Sequence, residues 1–314
     1  MINPSCYTTL FDTLNSAIGT ALTNRFLYEP QLVANLLVQI TQQVNRTKLH
    51  GVSVESRGIF VHQQPLVRFT CPPSLAQSTC EIGDLLVLRA ERRGGVLRSR
   101  SAILFQAKKE NRFPVRPDDN FSQYYLYTTW PPFEYVHSPS SLDGQFRHIT
   151  GRDIGVGAKY LLLRDQPTCA AQCQSCAITA RPLVSVLSRP ECLASELTTF
   201  ILGHWGKPFT YPALQGSHGW SRVMQDLIDN TGKQLSVYMG RAINGRSKAP
   251  RMCFLTGEPE TGWLWDTSIH VNQAWYDADQ EALETLGDEQ RDDGSAGLSI
   301  LGFVVTDDEE SGAR

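Results

Sequence analysis

The chain has 314 residues, of which 41% are hydrophobic and 19% charged, and its net charge is −3. That length and apolar content are enough to bury a large core, as one elaborated domain or two closely packed lobes, which excludes a disordered or fibrous chain. No run of about eighteen apolar residues is present to span a bilayer.

Met1 to Thr20 lacks the basic start and apolar block of a signal peptide, so the expectation is a soluble, cytoplasmic chain with no membrane partner. Disulfides are then not expected among its eight cysteines. In chain order, helices are predicted within Thr8 to Thr23 and Pro30 to Arg46. Leu32, Leu36, Ile40 and Val44 recur at helical spacing, and Pro30 suits a first turn beginning near Glu29. A strand is predicted near Val52 to Val61.

Between Glu81 and Lys109 the chain reads EIGDLLVLRAERRGGVLRSRSAILFQAKK. An acidic entry leads into an apolar run, a basic hairpin and a second apolar run. Asp84 to Ala90 is predicted as a strand opened by Asp84. Ser101 to Ala107 alternates too little for a surface strand and reads as one buried on both faces. Residues two apart on a strand share a face, so Gln106 and Lys108 emerge side by side, next to Asp84 on the neighbouring strand.

These residue types suit metal-dependent phosphodiester hydrolysis. A hard Mg²⁺ or Mn²⁺ ion takes oxygen ligands, which Asp84, Gln106 and the Ala107 carbonyl can supply, with Glu81 as a second carboxylate. Lys108 is then placed to orient the attacking water or to stabilise charge on the phosphate. The bland alternative is an amphipathic hairpin with solvated charges.

In this order of residues the segment resembles the PD-(D/E)xK nuclease superfamily, in the Mrr-like branch where Gln replaces the second acidic residue. The likeness covers roughly residues 25 to 135 and implies a restriction-endonuclease-like core, a central mixed sheet flanked by helices. It also implies an acidic residue from the preceding helix at the metal, for which Glu29 is the match. Glu29 equally suits the positive end of its own helix. Downstream, Gln123-Tyr-Tyr-Leu-Tyr127 resembles the Gln-x-x-x-Tyr element of RecB-like nucleases, whose four-residue spacing puts Gln123 and Tyr127 on one helix face. Packing aromatics are the alternative reading of Tyr124, Tyr125, Tyr127 and Trp130. No Pro precedes Asp84, and Gln106 stands for an acid; both are departures from the family pattern.

Charge is unevenly spread. Arg89, Arg92, Arg93, Arg98, Arg100, Lys108, Lys109, Arg112 and Arg116 cluster in sequence around these strands, and such a stripe attracts phosphate backbones. Arg92, Arg93, Arg98, Arg100, Lys109 and Arg112 are therefore candidate nucleic-acid contacts, and the resemblance to RecB-like nucleases adds Gln123 and Tyr127. Acidic runs at Asp288 to Asp293 and Asp307 to Glu310 read as a solvated tail.

A Pro- and Ser-containing stretch, Pro131 to Ser141, is expected to mark a lobe edge. Beyond it, strands are predicted at Lys159 to Arg164, Arg251 to Leu255 and Leu298 to Thr306, and helices at Ala194 to Leu202 and Trp220 to Asn230. The last strand is buried in character, and its return to the central sheet would make the C-terminal half an elaboration of the first. The expected organisation is thus an α/β nuclease-like core over residues 1–140, followed over 141–314 by an α/β elaboration carrying a cysteine cluster and the acidic tail.

Cys169, Cys173, Cys176 and Cys192 could enclose a structural Zn²⁺. Buried free thiols are the alternative, and the resemblance to RecB-like nucleases adds an iron–sulfur cluster as a third. Gly151, Gly155 and Gly157 precede a strand with no Lys-Ser/Thr after them, so no phosphate-binding loop is expected. His204, His218 and His270 show no ligand spacing. The reading that emerges is a metal-dependent nuclease acting on DNA, and the resemblance implies anti-phage defence or restriction as its setting. A homo-oligomer or a defence-system protein is the implied partner. The rival is an inactive nuclease-fold protein serving as a nucleic-acid-binding or scaffolding module.

Overall fold

A computed structural model of the chain describes residues 4–23, 27–61, 65–71, 76–109, 121–136, 142–149, 157–163, 177–181, 188–214, 219–243, 253–256 and 298–307. Helices α1 (Pro4–Ala21) and α2 (Glu29–Arg46) precede β1 (Val52–Val61), β2 (Leu66–Cys71), β3 (Ala76–Glu81), β4 (Leu85–Arg93) and β5 (Val96–Lys109). Next come α3 (Phe121–Thr129), β6 (Phe133–Val136), β7 (Phe146–Arg147), β8 (Ala158–Leu163), β9 (Ala177–Arg181) and β10 (Ser188–Cys192). The described elements close with α4 (Leu193–Ile201), β11 (Lys207–Pro208), α5 (Trp220–Ile243), β12 (Cys253–Thr256) and β13 (Ser299–Asp307).

The main sheet is mixed and runs in the order β10-β9-β8-β5-β4-β13-β1-β12, with β11 pairing to β5. Its centre is apolar because β4 and β5 bury both faces, as their unbroken runs of Leu, Val, Ile and Phe predict. Leu85, Val87, Ile103, Phe105 and Ala107 face one way, against α1, α2 and α4. Leu86, Leu88, Ala102 and Leu104 face the other, against α3, α5 and a second sheet of order β3-β2-β6-β7. Helices on both faces of a mixed sheet agree with the expected class.

The predicted final strand is present and central. β13 lies between β4, which it joins in parallel, and β1, which it joins antiparallel. β8 flanks the other side of the hairpin, parallel to β5. Chain beyond residue 140 therefore supplies both neighbours of the β4–β5 hairpin, so the expected division at that residue falls inside one sheet.

Three expectations are altered. Pro131 to Ser141 is not a plain lobe edge, because Phe133 and Tyr135 alternate into the core and make β6 an internal strand of the second sheet. α5 continues well past Asn230. β5 starts at Val96 rather than Ser101, since the Gly94-Gly95 turn, with φ of 57° and 75°, lets pairing begin at once beside Arg93. Arg112, Arg116, Cys169, Cys173, Cys176, His218, His270, Gly151, Gly155 and the acidic residues of the two C-terminal runs other than Asp307 lie outside the described residues. Among the described residues, no helix is long and apolar enough to cross a membrane.

Candidate active site

The C-terminal end of β5 meets the start of β4, the end of β3 and the first turns of α2 and α3. Antiparallel register sets Leu85 opposite Phe105, and the Asp84 amide donates to the Phe105 carbonyl at 2.8 Å. Asp84 is buried, and its Oδ2 accepts the Ala107 amide at 2.6 Å. Its carboxyl is thereby fixed across the exit of β5, beside Gln106 and Lys108.

Gly83 shapes this approach sterically. A Cβ there would stand 2.7 Å from Leu104 Cδ1 and 3.0 Å from the Tyr127 hydroxyl. Only glycine lets Leu104 and Tyr127 close over the residue before Asp84. Tyr127 in turn donates to the Ile82 carbonyl at 2.8 Å.

Two glutamates reach the same place from different elements. Glu81 ends β3, and its carboxylate accepts a hydrogen bond from the Gln106 side chain. Glu29 opens α2, where its Oε2 accepts the Lys109 amide at 2.9 Å and its Oε1 lies 3.9 Å from Lys108 Nζ. Lys109 Nζ donates to the Leu27 carbonyl at 3.1 Å. Glu29 thus does more than sit at a helix terminus: it ties α2 to the end of the lysine-bearing strand.

Electrostatics at the site are frustrated. Asp84 is pushed well above the usual carboxylate range, first by burial, then by Glu29 and Glu81, while Lys108 and the Ala107 amide pull it down. Burial also raises Glu29, opposed by Lys108 and the Lys109 amide, with Glu81 adding to the rise. Glu81 keeps an exposed surface, yet desolvation of its carboxyl raises it against the pull of Lys108 and Gln106. Three acidic groups therefore share one lysine, an arrangement that a hard cation would relieve. Among the described residues, no three His, Cys, Asp or Glu side chains are grouped closely enough to hold a metal by themselves. A cation here would draw on a neutral oxygen beside the carboxylates, and the Ala107 carbonyl next to Asp84 and Glu81 is of that kind.

Several expected roles are corrected by placement. Gln106 is fully buried, and its Oε1 accepts from Gln123 Nε2, so its amide is held by the protein and positions Glu81. Gln123 and Tyr127, expected at the nucleic-acid surface, are buried and brace the site from within, Gln123 also donating to the Glu81 carbonyl at 3.3 Å. The hairpin arginines do not surround the site. Arg92 and Arg100 each lie eight residues along their strands from Asp84 and Lys108, which at about 3.3 Å per residue is roughly 26 Å.

Those arginines are also partly engaged. Arg100 donates to the Tyr211 carbonyl at 2.7 Å, and Arg93 pairs with Glu91 at 3.0 Å. Arg89 is buried and donates to the Ile201 carbonyl at 2.7 Å, capping the end of α4. Cys192 is half-buried and precedes α4, and the other three cysteines of the expected cluster lie outside the described residues. Sequence reasoning misses Gly83 and Ile82, because a glycine beside an acid gives no periodic signal of its own. Comparison with protein-family models, with curated proteins and with solved structures returned no match.

Proposed function

We propose that the chain is a Mg²⁺- or Mn²⁺-dependent nuclease of the PD-(D/E)xK type, hydrolysing phosphodiester bonds in DNA. The observation that carries this reading is the meeting of Glu29, Glu81, Asp84 and Lys108 at the ends of β4 and β5, although 79 residues separate the first from the last in sequence. The order β4, β5, α3 and parallel β8 also supports a restriction-endonuclease-like core, with β13 as an inserted central strand.

In this reading Asp84 and Glu81, with the Ala107 carbonyl, would hold the ion, and Gln106, expected among the ligands, would act from behind Glu81. When bound, such an ion lowers the pKa of a water and neutralises charge developing on the phosphate. The protein's own part is orientation. The Ala107 amide fixes Asp84, Gln106 fixes Glu81, and Lys108, with Glu29 at 3.9 Å, presents an ammonium that could meet an anionic phosphorane or orient the attacking water. Restriction or anti-phage defence is the setting that the sequence resemblance implies.

A second reading has its own support. The burial of Gln106 and the use of its oxygen by Gln123 favour a nuclease-fold protein that binds nucleic acid without cutting it. Incubation with supercoiled plasmid, linear duplex and single-stranded DNA decides between them. Cleavage with Mg²⁺ or Mn²⁺ that stops in chelator supports the nuclease; intact DNA with retained binding supports the module.

A further inference from the structure

Four exposed aromatic rings occur among the described residues: Tyr28, Phe121, Phe146 and Trp205. Two of them adjoin the candidate site. Tyr28 is 65% exposed and directly precedes Glu29, while Phe121 is 43% exposed and stands two residues before Gln123. α2 packs on one face of the main sheet and α3 on the other, so the two rings stand at the starts of helices on opposite faces.

Phe121 is also mechanically backed. Its ring stacks on Tyr125 at 6.2 Å between centroids and 25° between planes, and Tyr125 stacks with the same spacing and tilt on Phe69 of β2. Tyr124 lies against Phe121 at 6.5 Å. A surface phenylalanine at the first position of a helix costs exposure of apolar area, and here that ring is the outer member of a row rooted in the second sheet. Such a row is pre-ordered to accept one more planar group, and its helix is joined through Gln123 to Gln106, two residues before Lys108, whose charge suits the phosphates that accompany a base.

We propose that Phe121, backed by Tyr125 and Phe69, and Tyr28 on the opposite side are stacking platforms for unpaired bases, making single-stranded nucleic acid the substrate class of this site. Within a duplex, each base face is covered by its neighbours, so only a single strand, a flap or a frayed end can present one to these rings. The proposal rests on the phosphodiesterase reading of the site for its catalytic consequence, but the binding itself needs no cleavage.

The test is fluorescence anisotropy in chelator with three labelled probes of equal length: a single-stranded oligonucleotide, its fully abasic counterpart and the matching duplex. Phe121→Ala should weaken single-strand binding by about five- to a hundredfold, leave abasic binding unchanged, and Phe121→Trp should restore the affinity. Tyr28→Ala should act in the same direction. Equal affinity of the wild-type protein for the single strand and the abasic probe would overturn the proposal, as would a Phe121→Ala protein, folded by circular dichroism, that binds the single strand like wild type. A Phe121→Ala protein that changes only its sedimentation, and not its nucleic-acid affinity, would assign the ring to a protein interface and equally overturn it. Base-dependent binding without metal-dependent cleavage would sink the nuclease reading alone, whereas duplex cleavage indifferent to Phe121 would sink this one alone.

Discussion

Gly83→Ala probes whether the site is set by close packing around the residue before Asp84. The added methyl would meet Leu104 Cδ1 at 2.7 Å and the Tyr127 hydroxyl at 3.0 Å, against an ordinary carbon contact of about 3.5–4.0 Å. Neither neighbour yields easily. Leu104 is fully buried between β4 and β8, and Tyr127 is pinned by its bond to the Ile82 carbonyl. Overpacking of this kind costs about 1–3 kcal/mol. At about 2–4 °C per kcal/mol, the melting temperature should fall by roughly 2–12 °C.

The same shift would carry Asp84 away from Ala107, and a displacement of about 1 Å in a catalytic group can cost around a hundredfold in rate. Urea unfolding followed by tryptophan fluorescence measures the stability, and a cycle with Leu104→Ala isolates the contact. Alone, Leu104→Ala should cost about 2–5 kcal/mol by leaving a cavity. Combined with Gly83→Ala it should cost less, by a coupling of about 1 kcal/mol, because the new methyl fills part of that space. Strict additivity, or a Gly83→Ala protein as stable as wild type, would refute close packing as the cause.

Lys108→Ala should lower the rate of metal-dependent DNA cleavage by about a hundredfold or more while leaving the urea midpoint little changed, because the side chain is partly exposed and its 3.9 Å contact with Glu29 is loose. Burial and the neighbouring glutamates raise the folded-state pKa of Asp84, so the folded chain keeps a proton that the unfolded chain has released. Stability in chelator should therefore fall as pH rises from the ordinary carboxylate range through the raised value, and Asp84→Asn, which retains an acceptor for the Ala107 amide, should flatten that fall in urea midpoints taken across the range. Neutralising Arg92 and Arg98 should reduce the slope of log K against log salt by about 0.9 for each phosphate no longer neutralised, with no change in cleavage at saturating DNA; an unchanged slope in filter binding would place the phosphate-binding surface elsewhere.

The centre of the molecule is legible in the sequence because its signals there are local. Two unbroken apolar runs joined by Gly94-Gly95 specify a buried hairpin, and Leu32, Leu36, Ile40 and Val44 specify the buried stripe of α2. The second sheet is harder to read. β2 and β3 mix Thr, Ser, Gln and Arg with few large apolar residues, and β2 and β6 are linked across the sheet by the Arg68–Glu134 pair, 66 residues apart. Nothing local tells that Glu81 ends a strand of that sheet. The arginine cluster misleads for a geometric reason: residues near in sequence are carried apart by strand rise, so a hairpin tip and its strand ends lie at opposite ends of the sheet. Gln123 and Tyr127 share a helix face as their spacing predicts, but that face is turned inward, and only the packing of α3 on β5 decides it.

Whether Asp84 and Glu81 hold a catalytic cation beside Lys108 can be seen by anomalous diffraction from crystals soaked in Mn²⁺. One strong peak is expected within about 2.5 Å of a carboxylate oxygen of Asp84, shared with Glu81 or the Ala107 carbonyl and absent from Asp84→Ala crystals. A Mn²⁺ peak bound elsewhere, or none at this place under conditions in which the protein cuts DNA, would remove the cation from this site.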